Sequence, residues 1–200
     1  MLPIREAIRR IRVAIHDEEQ RINYSDTEIL DAINSGLRVI RRTIAEIQPE
    51  ILVTTVMGTL AATQSEIELP SRPLQIIDLT AGKYKLLETN MQHVRKKVAS
   101  EHPKYFYRVG LQSLKVYPKP LVETEYAVRY VEDIGELGIE DTAPILNEFD
   151  DFLIEYAAYR LALTDEFDMT QEQQIIANIH QQIASILAPP PAGTVVHGYW

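Results

Sequence analysis

Apolar residues recur every three or four positions towards both ends of this chain and every second position through its middle. Between Tyr24 and Pro49, the residues Ile29, Ile33, Leu37, Ile40, Ile44 and Ile47 fall on one face of a helix. Ser25 with Glu28 three residues on is a capping-box signature, Tyr24 and Ile29 flank it as a hydrophobic staple, and Pro49 supplies the stop. Asp31, Arg38, Arg41 and Arg42 lie on the opposite side. Gly36 sits mid-helix, at a cost of about 1 kcal/mol relative to alanine. It reads either as tolerated wobble or as the close approach of another backbone. Ile4, Ile8, Ile11 and Ile15 predict an earlier helix over residues 2–16, ringed by Arg5, Arg9, Arg10 and Arg12. The short polar run 17–23 makes these two helices an antiparallel hairpin.

After Pro49 the period falls to two. Residues 51–60 are rich in Val and Thr and suit a strand, 62–65 form a turn, and 66–69 alternate polar and apolar. Pro70 and Pro73 break the pairing. Residues 74–80 and 83–87 flank an Ala81-Gly82 hairpin, and 90–100 read as a short helix carrying the basic run Arg95-Lys96-Lys97. Residues 105–109 and 113–117 bracket a turn at Gly110. Thr124, Tyr126, Val128 and Tyr130 then alternate with Glu125, Ala127, Arg129 and Val131. About six short strands are expected, as a small sandwich or barrel with one short helix laid on it.

The helical period returns at 145–163, where Phe149, Phe152, Leu153, Tyr156 and Tyr159 give a broad apolar face. It continues at 171–187 through Ile175, Ile176, Ile179, Ile183 and Ile186. The polar side of this last helix carries Gln173, Gln174, Asn178, Gln181 and Gln182 in place of charges. A neutral amide face can lie against another surface without burying charge, so it reads as a subunit contact. Three consecutive prolines at 189–191 form a stiff spacer. The tail beyond it holds Val195, Val196, His197, Tyr199 and Trp200, which suits docking on a partner better than folding alone. The fold class expected is therefore α+β. A helical bundle of about four helices (1–50 and 144–187) carries an inserted β-rich module (51–132) and an extended C-terminal tail (188–200).

Composition narrows the chemistry. Hydrophobic residues make up 46% of the 200, enough for a sizeable core, and no apolar run approaches a membrane span. There is no cysteine, which excludes disulfides and thiolate catalysis. The net charge of −9 is uneven: residues 121–200 hold 2 basic and 15 acidic side chains. That bias is opposite to the basic patch of a DNA binder, and suits a surface that does not adhere to a neighbouring polyanion. Surface or inter-subunit ion pairing accounts for the arginines of the first helix. No phosphate loop or hydrolase motif is present, and His16, His93, His102, His180 and His197 are scattered without metal-ligand spacing. Asp150, Asp151 and Glu155 are the notable carboxylates. They read as a solvated or ion-paired helix face or, through Asp151 and Glu155, as a divalent-cation site. No catalytic residue, cofactor or metal is expected.

Four phrases in order carry a likeness to a known family: SDTEILDAINSGLRVI; the stretch from QSEIELP to LQIID; YRVGLQSLKVYPKP before YAVRYV; and FDDFLIEYAAYRLALTDE. Together they cover about residues 20–170, and the chain resembles the bacteriophage head-to-tail adaptors, also called head-completion or connector proteins. The resemblance implies a structural, non-enzymatic virion protein of the neck. Copies, usually twelve, would form a ring beneath the portal protein, extend the DNA channel and offer a docking surface to a tail or nozzle protein. Genomic DNA would pass without specific binding, and no membrane is involved. Gln174, Asn178, Gln181, Gln182 and the tail residues Val195, Val196, His197, Tyr199 and Trp200 would contact the portal or a neighbour. Asp150, Asp151 and Glu155 would face the channel. Without that likeness the same residues read as a small helical regulatory or protein-binding module.

Overall fold

The structure, a computed structural model, describes residues 1–17, 23–93, 102–163 and 169–188. The chain is α+β and divides into two compact units, Pro49–Gly135 and Met1–Gln48 with Glu136–Trp200. Among the described residues the first consists of β-strands and short 3-10 turns, and the second is helical.

The helical unit is built round α2 (Asp26–Ile47), which touches each of the other three helices, α1 (Ile4–Ala14), α3 (Asp150–Ala162) and α4 (Met169–Leu187). Both arms of its capping box form. The Glu28 N–H donates to Ser25 Oγ at 3.2 Å, and the Ser25 N–H donates to Glu28 Oε2 at 2.7 Å. Ile29, Ile33, Leu37, Ile40 and Ile44 are fully buried, as the periodicity predicts. Gly36 is a close approach, though by side chains and not by backbone. A Cβ there would lie 2.8 Å from Tyr156 Cδ1 and 2.9 Å from Leu153 Cδ1, both on α3. The 3-10 turn Pro49–Leu52 follows the helix stop.

Helix α1 has no side-chain cap. Its first N–H is satisfied instead by the loop that returns from the β unit: Ile4 N–H donates to the Asp141 carbonyl at 3.0 Å. At its other end His16 adopts the left-handed conformation, φ 57°. His16 N–H then reaches the Val13 carbonyl (3.2 Å) and Asp17 N–H the Arg12 carbonyl (2.9 Å). This is the paired pattern of a Schellman stop, a place usually held by glycine. The returning loop is also pinned to α2. Asn34 Nδ2 donates to the Leu137 carbonyl (3.1 Å), Leu137 N–H donates back to Asn34 Oδ1 (2.9 Å), and Arg41 Nη1 donates to the Pro144 carbonyl (2.9 Å).

The β unit is a two-layer sandwich. Strands β1 (Val53–Leu60), β8 (Thr124–Glu132), β3 (Pro73–Ala81) and β4 (Tyr84–Lys85) form one sheet in that order. Strands β2 (Glu66–Glu68), β7 (Ser113–Tyr117), β6 (Tyr105–Val109) and β5 (Leu87–Glu88) form the other. Leu60, Leu79, Val128 and Tyr130 of the first sheet share one core with Ile67, Phe106, Leu114 and Val116 of the second. On the other face of β8, Arg129 pairs with Asp78 at 3.0 Å. Gly82 and Gly110 take positive φ at the two hairpin turns.

Several sequence expectations change in detail. Among the described residues eight strands form where about six are expected, because β4 and β5 are only two residues each, and β5 pairs parallel with β6. Pro73 opens β3, where a strand tolerates the missing N–H, and a register shift follows it. Residues 91–93 form a 3-10 turn, and the rest of the expected short helix, with Arg95-Lys96-Lys97, lies outside the described residues. Arg12 and Arg41, expected on solvated faces, are buried, and Tyr159, expected in the core, is 54% exposed.

Candidate functional site

The corner between α1 and α2 fixes the shape of the surface beside it. Arg12 is buried, and its guanidinium donates to Asp17 Oδ2 at 2.6 Å, Asp26 Oδ1 at 2.7 Å and the Tyr24 carbonyl at 3.0 Å. The Schellman turn at His16 presents Asp17 to it. One side chain thus ties the end of α1 to the start of α2. Tyr24, held at that corner, donates its hydroxyl to the Leu161 carbonyl of α3 at 2.9 Å. That carbonyl belongs to the last turn of α3, which ends at Ala162.

Two open grooves flank α3 as a result. The first, of about 640 Å³, runs between the α1–α2 corner and α3, lined by Ala14, Ile15, Asn23, Tyr24, Ile154 and Ala158. The second, of about 590 Å³, runs between α3 and α4, lined by Leu163, Gln174, Ile175, Asn178 and Gln182. Glu155, Tyr159 and Ala162 border both. Tyr159 therefore stands as an exposed aromatic ridge between two half-apolar clefts. Ile179 and Ile183 seat α4 in the core and turn its amides outward. Gln174, Asn178, Gln181 and Gln182 are all exposed, and three of the four line or border the second groove, with Gln181 apart from it. Such a surface supplies neutral donors and acceptors beside apolar walls. It suits a protein segment better than a reacting substrate, because among the described residues Glu155 is the only carboxylate in either lining.

The acidic residues of α3 separate in role. Asp151 pairs with Arg10 of α1 at 2.5 Å. Asp150 is half-buried, and desolvation raises its pKa above the usual carboxylate value against the pull of the N-terminal amine and Arg10. Glu155 is exposed on the groove rim. Among the described residues no cluster of three or more His, Asp or Glu is arranged to hold a metal ion.

The arginines of α1 spend their charge within the chain. Arg5 pairs with Glu140 and Arg9 with Glu6, and the carboxyls of both partners are held below the usual value chiefly by the guanidinium hydrogen bonds. Val195, Val196, His197, Tyr199 and Trp200 lie outside the described residues. Among the described residues no helix is long and apolar enough to cross a membrane. Sequence reasoning missed Arg12, Asn34, Arg41 and the exposure of Tyr159. The one available signal was Asn34, an amide set among the apolar positions of a strongly periodic helix.

A model of the SU10 adaptor protein family matches residues 3–195, nearly the whole chain. No curated protein matches it.

Proposed function

Since the chain belongs to the SU10 adaptor protein family, a family of phage head-to-tail adaptors, we propose that it is the structural adaptor of a virion neck. In this reading copies of the chain, twelve in number, form a ring beneath the portal, continue the DNA channel and present a docking surface to the tail or nozzle. The observation that carries the reading beyond family membership is the α3–α4 groove. Its wall carries neutral amides, its ridge is an exposed tyrosine, and among the described residues Glu155 is its one charged side chain. Gln174, Asn178, Gln181 and Gln182 contact the portal or a neighbouring copy, and so does the tail with Val195, Val196, His197, Tyr199 and Trp200. The acidic last third, including Asp150, Asp151 and Glu155, repels the passing phosphates so that DNA slides without adhering.

The test is reconstitution. Full-length protein mixed with its purified portal is imaged by negative-stain electron microscopy, in parallel with a chain ending at residue 188. Full-length protein adds a ring to the portal, and the shortened chain keeps its helical circular dichroism but fails to attach. A chain that stays monomeric beside the portal at micromolar concentration overturns the proposal.

A further inference from the structure

Each sheet of the β unit has two edges, and three of the four edge strands are blunt. Strands β4 and β5 are two residues long, and β2 is three residues long with Glu66 and Glu68 at its ends. Short or charged edges are the usual protection against strand addition. The fourth edge, β1, has none of these protections. It runs for eight residues, VTTVMGTL, with no charge and no proline. Its register with β8 is unbroken from Val53 to Leu60, whereas the register shifts fall on the β3 side of β8. Thr54, Thr55, Met57 and Thr59 are exposed, Met57 at 77%. In an antiparallel ladder alternate residues aim N–H and C=O away from the partner, so β1 offers a row of such groups on its open side. Among the described residues the longest other unpaired length is β3 from Pro73 to Leu79, since β4 pairs only with Thr80 and Ala81, and it opens on a proline and carries Asp78. An uncharged strand that extends the β1 edge therefore comes from a segment outside them.

Charge identifies that segment. The two longest runs in the sequence free of Asp, Glu, Lys and Arg are residues 51–65 and 173–200. The first contains β1. The second ends in TVVHGYW, seven residues with Thr-Val-Val and two aromatics, types enriched in strands. Seven uncharged residues match an eight-residue uncharged edge, and joining them buries no ion. We infer that the open edge of β1 accepts residues 194–200 of a neighbouring copy as an added strand. In the sequence, three prolines, Ala192 and Gly193 separate this segment from α4. A five-residue spacer in extended polyproline geometry, at about 3.1 Å per residue, can span roughly 15 Å. Donor and acceptor are different surfaces, so the contact is heterologous and can repeat from copy to copy until a ring closes. The inference rests on reading the tail as a neighbour-binding segment, and it names the neighbour and the seat.

The absence of cysteine makes the test clean. Full-length M57C and V195C chains, one lengthened by a tag, are mixed with portal and oxidised, then separated without reductant. A mixed disulfide dimer is expected, at least tenfold more abundant than from M57C mixed with L111C, whose cysteine sits on an exposed hairpin turn elsewhere. A proline at Val196 in the donor chain removes the dimer and leaves helical content unchanged. Yield no greater than the L111C control overturns the inference, as does a bond formed only within a doubly substituted chain. Co-sedimentation with the portal is read on the same samples. Protein that sediments with the portal but does not cross-link overturns the strand pairing and leaves the adaptor role standing. Protein that does neither overturns both.

Discussion

Replacing Arg12 with methionine tests the corner that shapes both grooves. The Arg12 side chain is 7% exposed and that of Asp17 only 2%, so their ion pair at 2.6 Å is screened little by water. Methionine keeps most of the stem's packing and removes the charge. Among the described residues Asp17 is then left buried with only the Asn23 N–H at 3.4 Å, and the Tyr24 carbonyl loses the guanidinium. Breaking a buried pair from one side costs about 3–5 kcal/mol, because the remaining charge stays desolvated. Asp26, whose side chain is 48% exposed, returns to water and adds little. At roughly 2–4 °C per kcal/mol for a chain of this size, R12M should lower the helical melting transition by about 6–20 °C. Thermal melts followed by circular dichroism at the helix band read this directly. The double variant R12M/D17N removes both charges, and replacing a buried pair by neutral groups is often nearly neutral. It should recover more than half of the loss, a coupling that additive sites would not show. A single variant within about 1 kcal/mol of the parent, or a double variant less stable than the single, refutes the reasoning.

Three further outcomes follow from local geometry. G36A gains about 1 kcal/mol of helix propensity but forces a Cβ to within 2.8 Å of Tyr156, and overpacking of that kind costs about 1–3 kcal/mol; chemical denaturation should show net destabilisation, and a gain would mean α3 yields freely. H16G relieves the left-handed strain at φ 57° and should stabilise by about 0.5–1 kcal/mol, whereas H16V should destabilise; equal melting points for the two would rule out the Schellman assignment. The Glu28 carboxyl is held below its usual 4.5, first by the Ser25 N–H and then by its hydroxyl. Its contribution is therefore present above about pH 4.5 and lost as pH falls through the folded value. The stability gap between the parent and E28Q should close as pH falls below about 4.5, and a gap that widens on acidification contradicts the sign.

Elements were legible in the sequence wherever the decisive interaction is local. The capping box joins Ser25 to Glu28 three residues away, and both arms form. The alternation of β8 and the stripe of α2 need only a periodic solvent boundary. What was not legible depends on partners brought from far along the chain. Arg41 looks like any solvated arginine until the Pro144 carbonyl, 103 residues on, meets it. Arg12 shares its helix face with Arg5 and Arg9, and only the left-handed turn at His16 aims Asp17 at it alone. Tyr159 is spaced like a core residue, yet α4 leaves it exposed between two clefts, and no periodicity within α3 reports where α4 will lie. The amide face of α4 was legible because its sign lies in composition: a helix that meets only water usually carries ion pairs.

The placement of charge gives these features one physical reason. In the neck role proposed above, the chain lies beside a DNA channel and meets two kinds of neighbour, a polyanion it must not hold and protein partners it must. Cationic docking surfaces would serve the second need and defeat the first, since lysine and arginine exposed for a partner are equally exposed to phosphate. This chain sets its α1 arginines against its own carboxylates, Arg5 on Glu140, Arg9 on Glu6 and Arg10 on Asp151. It reserves its uncharged stretches, 51–65 and 173–200, for an open strand edge, an amide face and a tail. Backbone and amide groups bind through direction and shape and give phosphate no net charge to seek. On this reading the neutral runs and the acidic surplus are two halves of one requirement: partners are held by hydrogen-bond geometry, and DNA is kept off by the sign of the field.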